Sequence, residues 1–369
     1  MAMSAEIAQT AGAAPSEAAI AAGVPRDLKL ESDEAIVEVG EWASRATLDI
    51  IGVAGMGQDF HAIADPSTPL YQHYHTVFKP NRQAALLQLS TLFLPRIIAT
   101  NLPIKRNGEI EAAVKVIRDV ARDLIRQKKD RLDQGLPVDH DILSVAIESG
   151  GFTEENLIDQ LMTFLAAGHE TTASAMTWAI YMLCLHPSIQ GRLRDEVRAN
   201  LPSPDTDTPV SAADIEHMPY LNAVCAEVLR YYPPVPLTLR EAAVDTTIVG
   251  QKVPKGTMVY LVPWATNRDA ALWGADADVF DPERWLRDPS GGAKSNYAFM
   301  TFIHGPRSCI GEKFSRGEFA TLLAAWMGRF EWGLADERQV DERRVEIKGG
   351  ITSKPAKGMW TRVKRVEGW

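Results

Sequence analysis

Apolar residues recur at every third or fourth position through long stretches of this chain, the spacing that lines one face of an α-helix. In "IEAAVKVIRDVARDLIRQKKDRLDQG" the pattern starts at Ile110, ends in a basic last turn and stops at Gly135. The run "TEENLIDQLMTFLAAGHETTASAMTWAIYMLCLHP" is longer. Thr153 is placed to cap it, Glu154 and Glu155 suit the positive end of a helix, and Pro187 follows its end. At ~1.5 Å per residue such a helix is roughly 45 Å long. Its apolar character suggests a membrane span, but His169, Glu170, Thr171 and Thr172 near its middle make one costly, so a buried central helix is expected. "MPYLNAVCAEVLRYYPP" predicts a helix from Pro219 to a Pro-Pro stop, and another is expected from Glu312 to about Phe330. The stretch from Glu31, "ESDEAIVEVGEWASRATLDIIGVAGMG", also has helical spacing, ending in glycines.

The period changes in "TTIVGQKVPKGTMVYLVPW", which alternates about Gly250 and the Pro254-Lys255-Gly256 turn and predicts β-hairpins. Residues 267–301 read as irregular, and short strands finish the chain. The fold class expected is mainly α with a small β portion. One domain over residues 29–369 follows an Ala-rich leader, residues 1–28, expected to be a weak helix or disordered. Glu6, Glu17 and the lack of a basic start argue against a signal peptide there, and the leader is too polar to span a membrane.

Composition narrows the function classes. A chain of 369 residues with 46% hydrophobic content can bury a large core. A formal net charge of -9 and no dense Lys/Arg stripe argue against a nucleic-acid partner. The three cysteines form no CxxC pair, so neither a disulfide framework nor a zinc ribbon is signalled, and a reducing compartment fits. Cys184 and Cys225 lie on apolar helical stretches and read as core packing.

Cys309 stands apart, in "FIHGPRSCIGEKF". Arg307 precedes it by two residues, a helix follows, and Gly305 and Gly311 allow close backbone approach. Cations and helix N-termini favour the thiolate, a soft and strongly donating ligand. The loop suits a sulfur anion presented to something flat and close; a small buried hydrophobe is the ordinary alternative. Elsewhere, Glu170 and Thr171 sit in an apolar run, where a carboxylate and a hydroxyl need partners or a task. Glu227 and Arg230, at i and i+3, share a helix face and can pair.

Phe302, Gly305, Arg307, Cys309 and Gly311 stand at the F-x-x-G-x-R-x-C-x-G spacing, and this segment closely resembles the haem-binding loop of cytochromes P450. "AAGHETTA" resembles the oxygen-activation stretch of that family, "AEVLR" its E-x-x-R motif, and "FDPERW" the segment supplying a further arginine, Arg284. Order and spacing agree from about Glu41 to the C-terminus, and the type resembled is the fungal or eukaryotic microsomal one. The resemblance implies the cytochrome P450 fold, haem b (iron protoporphyrin), and Cys309 as axial ligand to its iron. It implies Arg307 and Arg240 at the propionates, with His304 either there or satisfied by the backbone of its turn. Phe302, Gly311 and Ala167 would contact the macrocycle, and Glu170 and Thr171 would relay protons to the oxygen being activated. Glu227, Arg230 and Arg284 would form a buried network that supports the loop. Phe164, Val235 to Leu239, Ile351 and Thr352 would line an apolar pocket.

The function so implied is a monooxygenase, inserting one atom of O2 into a small apolar substrate with electrons from an NADPH-dependent flavoprotein reductase. The alternative is a truncated haem-binding remnant without activity. "ATLDIIGVAGMGQDF" resembles a segment well inside microsomal members, so part of the lid, a Trp-x-x-x-Arg propionate contact and a membrane anchor are expected to be absent. Members of this type are usually anchored to the endoplasmic reticulum; with no span expected in this chain, its location is left open. An isomerase or dehydratase on this fold would need disruption around Glu170 and Thr171, and none is visible. A cysteine hydrolase would need a His or Asn/Asp partner signalled near Cys309.

Overall fold

The computed structural model describes residues 2–78, 105–137 and 141–369. In chain order the first helices are α1 (Ala2–Thr10), α2 (Glu17–Ala22), α3 (Val39–Ile51), α4 (Pro69–Phe78) and α5 (Lys105–Asp133). There follow α6 (Ile142–Glu148), α7 (Glu154–Leu185), α8 (Pro187–Asn200), α9 (Ala212–Glu216) and α10 (Pro219–Tyr231). The last are α11 (Pro263–Thr266), α12 (Ala270–Trp273), α13 (Glu283–Arg287) and α14 (Glu312–Arg329). The strands are β1 (Glu34–Glu38), β2 (Thr238–Glu241), β3 (Thr246–Ile248), β4 (Gln251–Val253) and β5 (Met258–Leu261). β6 (Phe330–Leu334), β7 (Ile347–Gly349), β8 (Ser353–Pro355) and β9 (Trp360–Arg365) complete the set. The protein is mainly helical with a small β portion, as its periodicity predicts. Among the described residues no helix is long and apolar enough to cross a membrane.

Two compact units form: residues 1–3 with 40–173, and residues 4–39 with 174–369. In the first, α5 ends where expected. Gly135 adopts φ 65°, its N–H bonds the carbonyl of Leu132, and that of Leu136 bonds Arg131, satisfying carbonyls the helix end leaves open. At the start of α7 the Thr153 hydroxyl accepts the Asn156 N–H at 3.3 Å, the predicted cap. α3 runs directly into a π-helical turn, Gly52–Met56. A Cβ on Gly52 would lie 2.5 Å from the Gln58 carbonyl and 2.6 Å from the Phe60 ring, so only glycine lets the chain fold back there. The returning N–H groups of Ala62 and Ile63 both bond the Asp49 carboxylate at 2.8 Å; burial still pushes that carboxyl above its ordinary range.

The second unit packs α8, α10 and α14 with an antiparallel sheet ordered β1-β9-β6. The stretch from Glu31 is therefore not helical throughout: Glu34–Glu38 is a strand, with Ala35 opposite Val363 and Val37 opposite Thr361. It is short and abuts α3, so Ala35, Val39 and Trp42 fall by coincidence at helical spacing and hide the two-residue period. The β region differs too. β3 and β4 form the hairpin at Val249-Gly250, where both residues have positive φ (49° and 77°), as a type I′ turn requires. β5 pairs with β2 rather than continuing from β4, because the turn closed by Thr257 N–H on Pro254 redirects the chain. Two short helices, α12 and α13, interrupt the region expected to be irregular. In the leader, Ser16 caps α2 by accepting the Ala19 N–H, and Ala19 and Val24 are buried with Ala335.

Candidate active site

The cysteine loop is a closed turn held from behind. The Cys309 N–H bonds the Phe302 carbonyl at 2.9 Å, and a tight 3-10 turn, Gly305–Arg307, lies between, with Gly305 at φ 80°. Ile303 has φ 59°, a conformation costly for a β-branched side chain by about 1–3 kcal/mol, so surrounding contacts must impose it. Those contacts are visible. Arg316 of α14, paired with Glu312 at 3.0 Å, lies over the Phe302 ring at 4.7 Å and the Phe299 ring at 5.3 Å. His304 Nε2 is 3.1 Å from the Phe299 carbonyl, its ring edge-on to Tyr297. Cys309 is at the exposed side of the turn, and the next residue, Ile310, is 89% exposed. Gly311 caps α14 at φ -90°, and a Cβ there would meet only Cys309 Sγ, at an ordinary 3.9 Å. Among the described residues nothing demands glycine at 311; its bare backbone leaves room on the sulfur side.

Behind this loop lies a buried ionic network. Arg230 grips Glu227 with two bonds of 2.8 Å, and Arg284 reaches the same carboxylate at 3.2 Å. Trp285 Nε1 and the Asp281 N–H complete the donors to Glu227, at 3.0 and 2.8 Å. Arg230 also donates to the carbonyls of Asn267, Ala277 and Val279, and Arg284 to those of Asp276 and Gly291. Asn267 passes the constraint onward: its side chain bonds the Arg230 carbonyl and Thr301 Oγ1, and accepts the Met300 N–H at 2.7 Å. Thr301 in turn donates to the Leu229 carbonyl. The residues entering the cysteine loop are thereby fastened to α10.

Arg307 is exposed, and Arg240, on β2, donates to the Leu239 carbonyl and to Thr238 Oγ1. Of the apolar residues expected near a substrate, Leu237, Leu239 and Ile351 are exposed, whereas Thr352 is buried. Burial pushes the Cys225 thiol well up, as suits a packing residue. Glu170, Thr171 and Ala167 belong to the first unit, on α7. Glu170 is buried, Thr171 half-buried and Ala167 exposed. The Thr171 hydroxyl donates to the Ala167 carbonyl at 2.8 Å, one turn back.

Asn267, Thr301 and Trp285 were not visible as site residues in the sequence. Trp285 closes the "FDPERW" segment and could have been suspected; Asn267 and Thr301 carry no local pattern. Sequence spacing joins neighbours on one element, and these two act across three.

The donor set suits an iron porphyrin. Cys309 offers one soft sulfur ligand, and among the described residues no group of three or more His, Cys, Asp or Glu could hold a metal ion. A metal at this sulfur would take its other ligands from beyond the described residues, and a porphyrin can supply them. Among known proteins, a family model described as Cytochrome P450 matches residues 20–362. The chain is 44% identical over 397 residues to Cytochrome P450 monooxygenase FUM15 of Gibberella moniliformis, covering 95% of this chain and 66% of that protein. It is 47% identical over 345 residues to Cytochrome P450 monooxygenase sphH of Aspergillus fumigatus, covering 91% and 63%. Cytochrome P450 monooxygenase ALT8 of Alternaria alternata is 43% identical over 411 residues, covering 100% and 68%. The chain thus spans about two thirds of the length of these relatives. Proteins of this family bind haem b. With its sulfur loop, its buried Glu-Arg-Arg network and this extent of identity, the chain belongs to the cytochrome P450 family.

Proposed function

We propose that this chain carries the catalytic core of a haem-thiolate monooxygenase acting on a small apolar substrate. One atom of O2 enters a C–H bond of the substrate as a hydroxyl and the other leaves as water. The two electrons come from NADPH through a flavoprotein reductase, and two protons come from solvent. Bound haem supplies the redox-active iron and the oxygen chemistry. Cys309 would hold it through the thiolate, a strongly electron-donating ligand. Arg307 neutralises propionate charge, with Arg240 in the same role. Thr171 presents a hydroxyl that donates a proton and regains one, and the Glu170 carboxyl resupplies it. Ala167, with its small side chain, keeps space beside that hydroxyl. Glu227, Arg230 and Arg284 do no chemistry; they keep the turn that bears Cys309 in place.

The observation that carries this reading is the exposed Cys309 sulfur on a strained turn fixed by a buried network. The test is a reduced, CO-bound difference spectrum of the haem-loaded chain. A thiolate-ligated signature that Cys309→Ala abolishes supports the reading. A chain that takes up no haem, or loses it at once, favours an inactive fragment that binds haem poorly.

A further inference from the structure

Helix α3 touches α7 at Gly168 and His169, next to the turn that carries Glu170 and Thr171. Thr47 is fully buried, and its hydroxyl lies 2.9 Å from the carbonyl of His169 and 2.9 Å from that of Ala43 in its own helix. One turn further along α3, Ile51 fills the space beside Gly168. A Cβ on that glycine would stand 2.8 Å from Ile51 Cγ1 and 3.0 Å from Cδ1. Contacts that short do not occur between real side chains, so any Cβ at 168 would force Ile51 or the helices to shift. His169 itself is buried, with Nδ1 2.6 Å from the Leu165 carbonyl and its ring edge-on to Tyr74 at 5.0 Å and Phe78 at 5.8 Å.

We infer that α3 positions the Glu170–Thr171 pair, with Thr47 and Ile51 as positioning residues that act through the backbone of α7. A carbonyl oxygen has two lone pairs, and in a regular helix one is taken by the N–H four residues on. Thr47 supplies a second donor to His169 from outside the helix, which fixes that turn along and around its axis. Ile51 against Gly168 fixes it sideways. Thr171 follows within one turn, its hydroxyl already tied to Ala167. The proton-bearing hydroxyl therefore has its place set by α3. Gly168 is a contact point between helices.

The consequence for proton delivery rests on the monooxygenase reading; the positioning does not, and it is tested first. Hydrogen exchange of the 369-residue chain is compared for wild type, Thr47→Val and Thr47→Ser. Thr47→Val is expected to speed exchange in residues 168–174 by roughly fivefold, the factor one lost hydrogen bond gives, while α14 stays unchanged. Thr47→Ser, which keeps the hydroxyl, restores the wild-type rate. If Thr47→Val leaves 168–174 unchanged, the proton goes to Ala43 and the inference fails; equal acceleration in α14 overturns it as well. Should Thr47→Val not fold, Gly168→Ala decides the matter. It is expected to lower the unfolding midpoint in wild type and raise it in an Ile51→Ala background, because only the ring of contacts from Ile51 opposes alanine's better helix propensity. The same response in both backgrounds overturns the inference. In the reductase-coupled enzyme, electrons that fail to reach substrate leave as hydrogen peroxide, O2 taking two electrons and two protons. Thr47→Val raises the peroxide share of NADPH consumed by roughly twofold or more, and Thr47→Ser does not. An unchanged share in Thr47→Val counts against the positioning role. If wild type consumes no NADPH, the monooxygenase reading fails while exchange still decides the positioning.

Discussion

A carboxyl group with no exposure is costly to bury unless donors surround it, and Glu227 has five: three guanidinium N–H groups, an indole and a main-chain N–H. Removing it leaves Arg230 buried without its counter-charge and Arg284 with only the half-exposed Asp276 carboxylate. Glu227→Ala is expected to cost about 3–5 kcal/mol in urea unfolding, the range for breaking a buried pair from one side. Glu227→Gln keeps the shape but turns an NH2 group toward donors, and should recover only part of that loss. The sequence exposed one half of this site. The Glu227–Arg230 spacing shows that two charges share a helix face, which is equally true of a minor surface pair. Burial and the donors from residues 281–285 depend on how the chain returns across α10, and no local period records that. Cys309 was legible for the opposite reason: its turn is local, and the glycines that shape it lie within a few residues.

At the scale of elements, the docking of α2 shows a different dependence. α2 ends at Gly23, in a left-handed conformation with φ 116°, and the Gly23 carbonyl accepts a bond of 2.7 Å from Arg338. Asp336 holds that arginine through two bonds, Nε to Oδ1 at 2.8 Å and Nη2 to Oδ2 at 2.9 Å. The hydrogen bond from Arg338 keeps the Asp336 carboxyl below its ordinary value of 3.8. A depressed folded pKa means the clamp is fully present above the unfolded value and is lost as pH falls through the lower folded value. Limited proteolysis of residues 23–34 should thus accelerate only in strong acid. Asp336→Asn should show faster cleavage already at neutral pH and lose that acid step. The leader's alanines gave no hint of such a clamp, because its partners lie more than three hundred residues away. The long helices α5 and α7 were readable at once, since caps, period and stop signals all lie within them.

For the whole molecule, the second unit is closed by contacts between distant parts of the chain. β1 pairs with β9, and Glu38 accepts the Met359 N–H at 2.7 Å. Trp369 lies in a slot made by Gly328, where a Cβ would come within 2.3 Å of its ring, and its indole donates to the Leu201 carbonyl at 3.1 Å. Trp369→Ala should cost about 3–5 kcal/mol, the range for deleting a buried tryptophan. It should appear as a lower denaturation midpoint with unchanged slope. Gly328→Ala acts on the same contact, so the double variant should lose less than the two losses added. Such long-range pairing is also why periodicity predicts the helices of this fold better than their arrangement.

Five of the groups that hold Arg230 and Arg284 are main-chain carbonyls between residues 267 and 291. A carbonyl is the same group whatever side chain sits beside it. Most of this segment can thus drift in spelling through evolution while the anchor of the cysteine loop persists. Its length has no such freedom: one residue inserted or deleted would carry the carbonyls past the guanidiniums they serve.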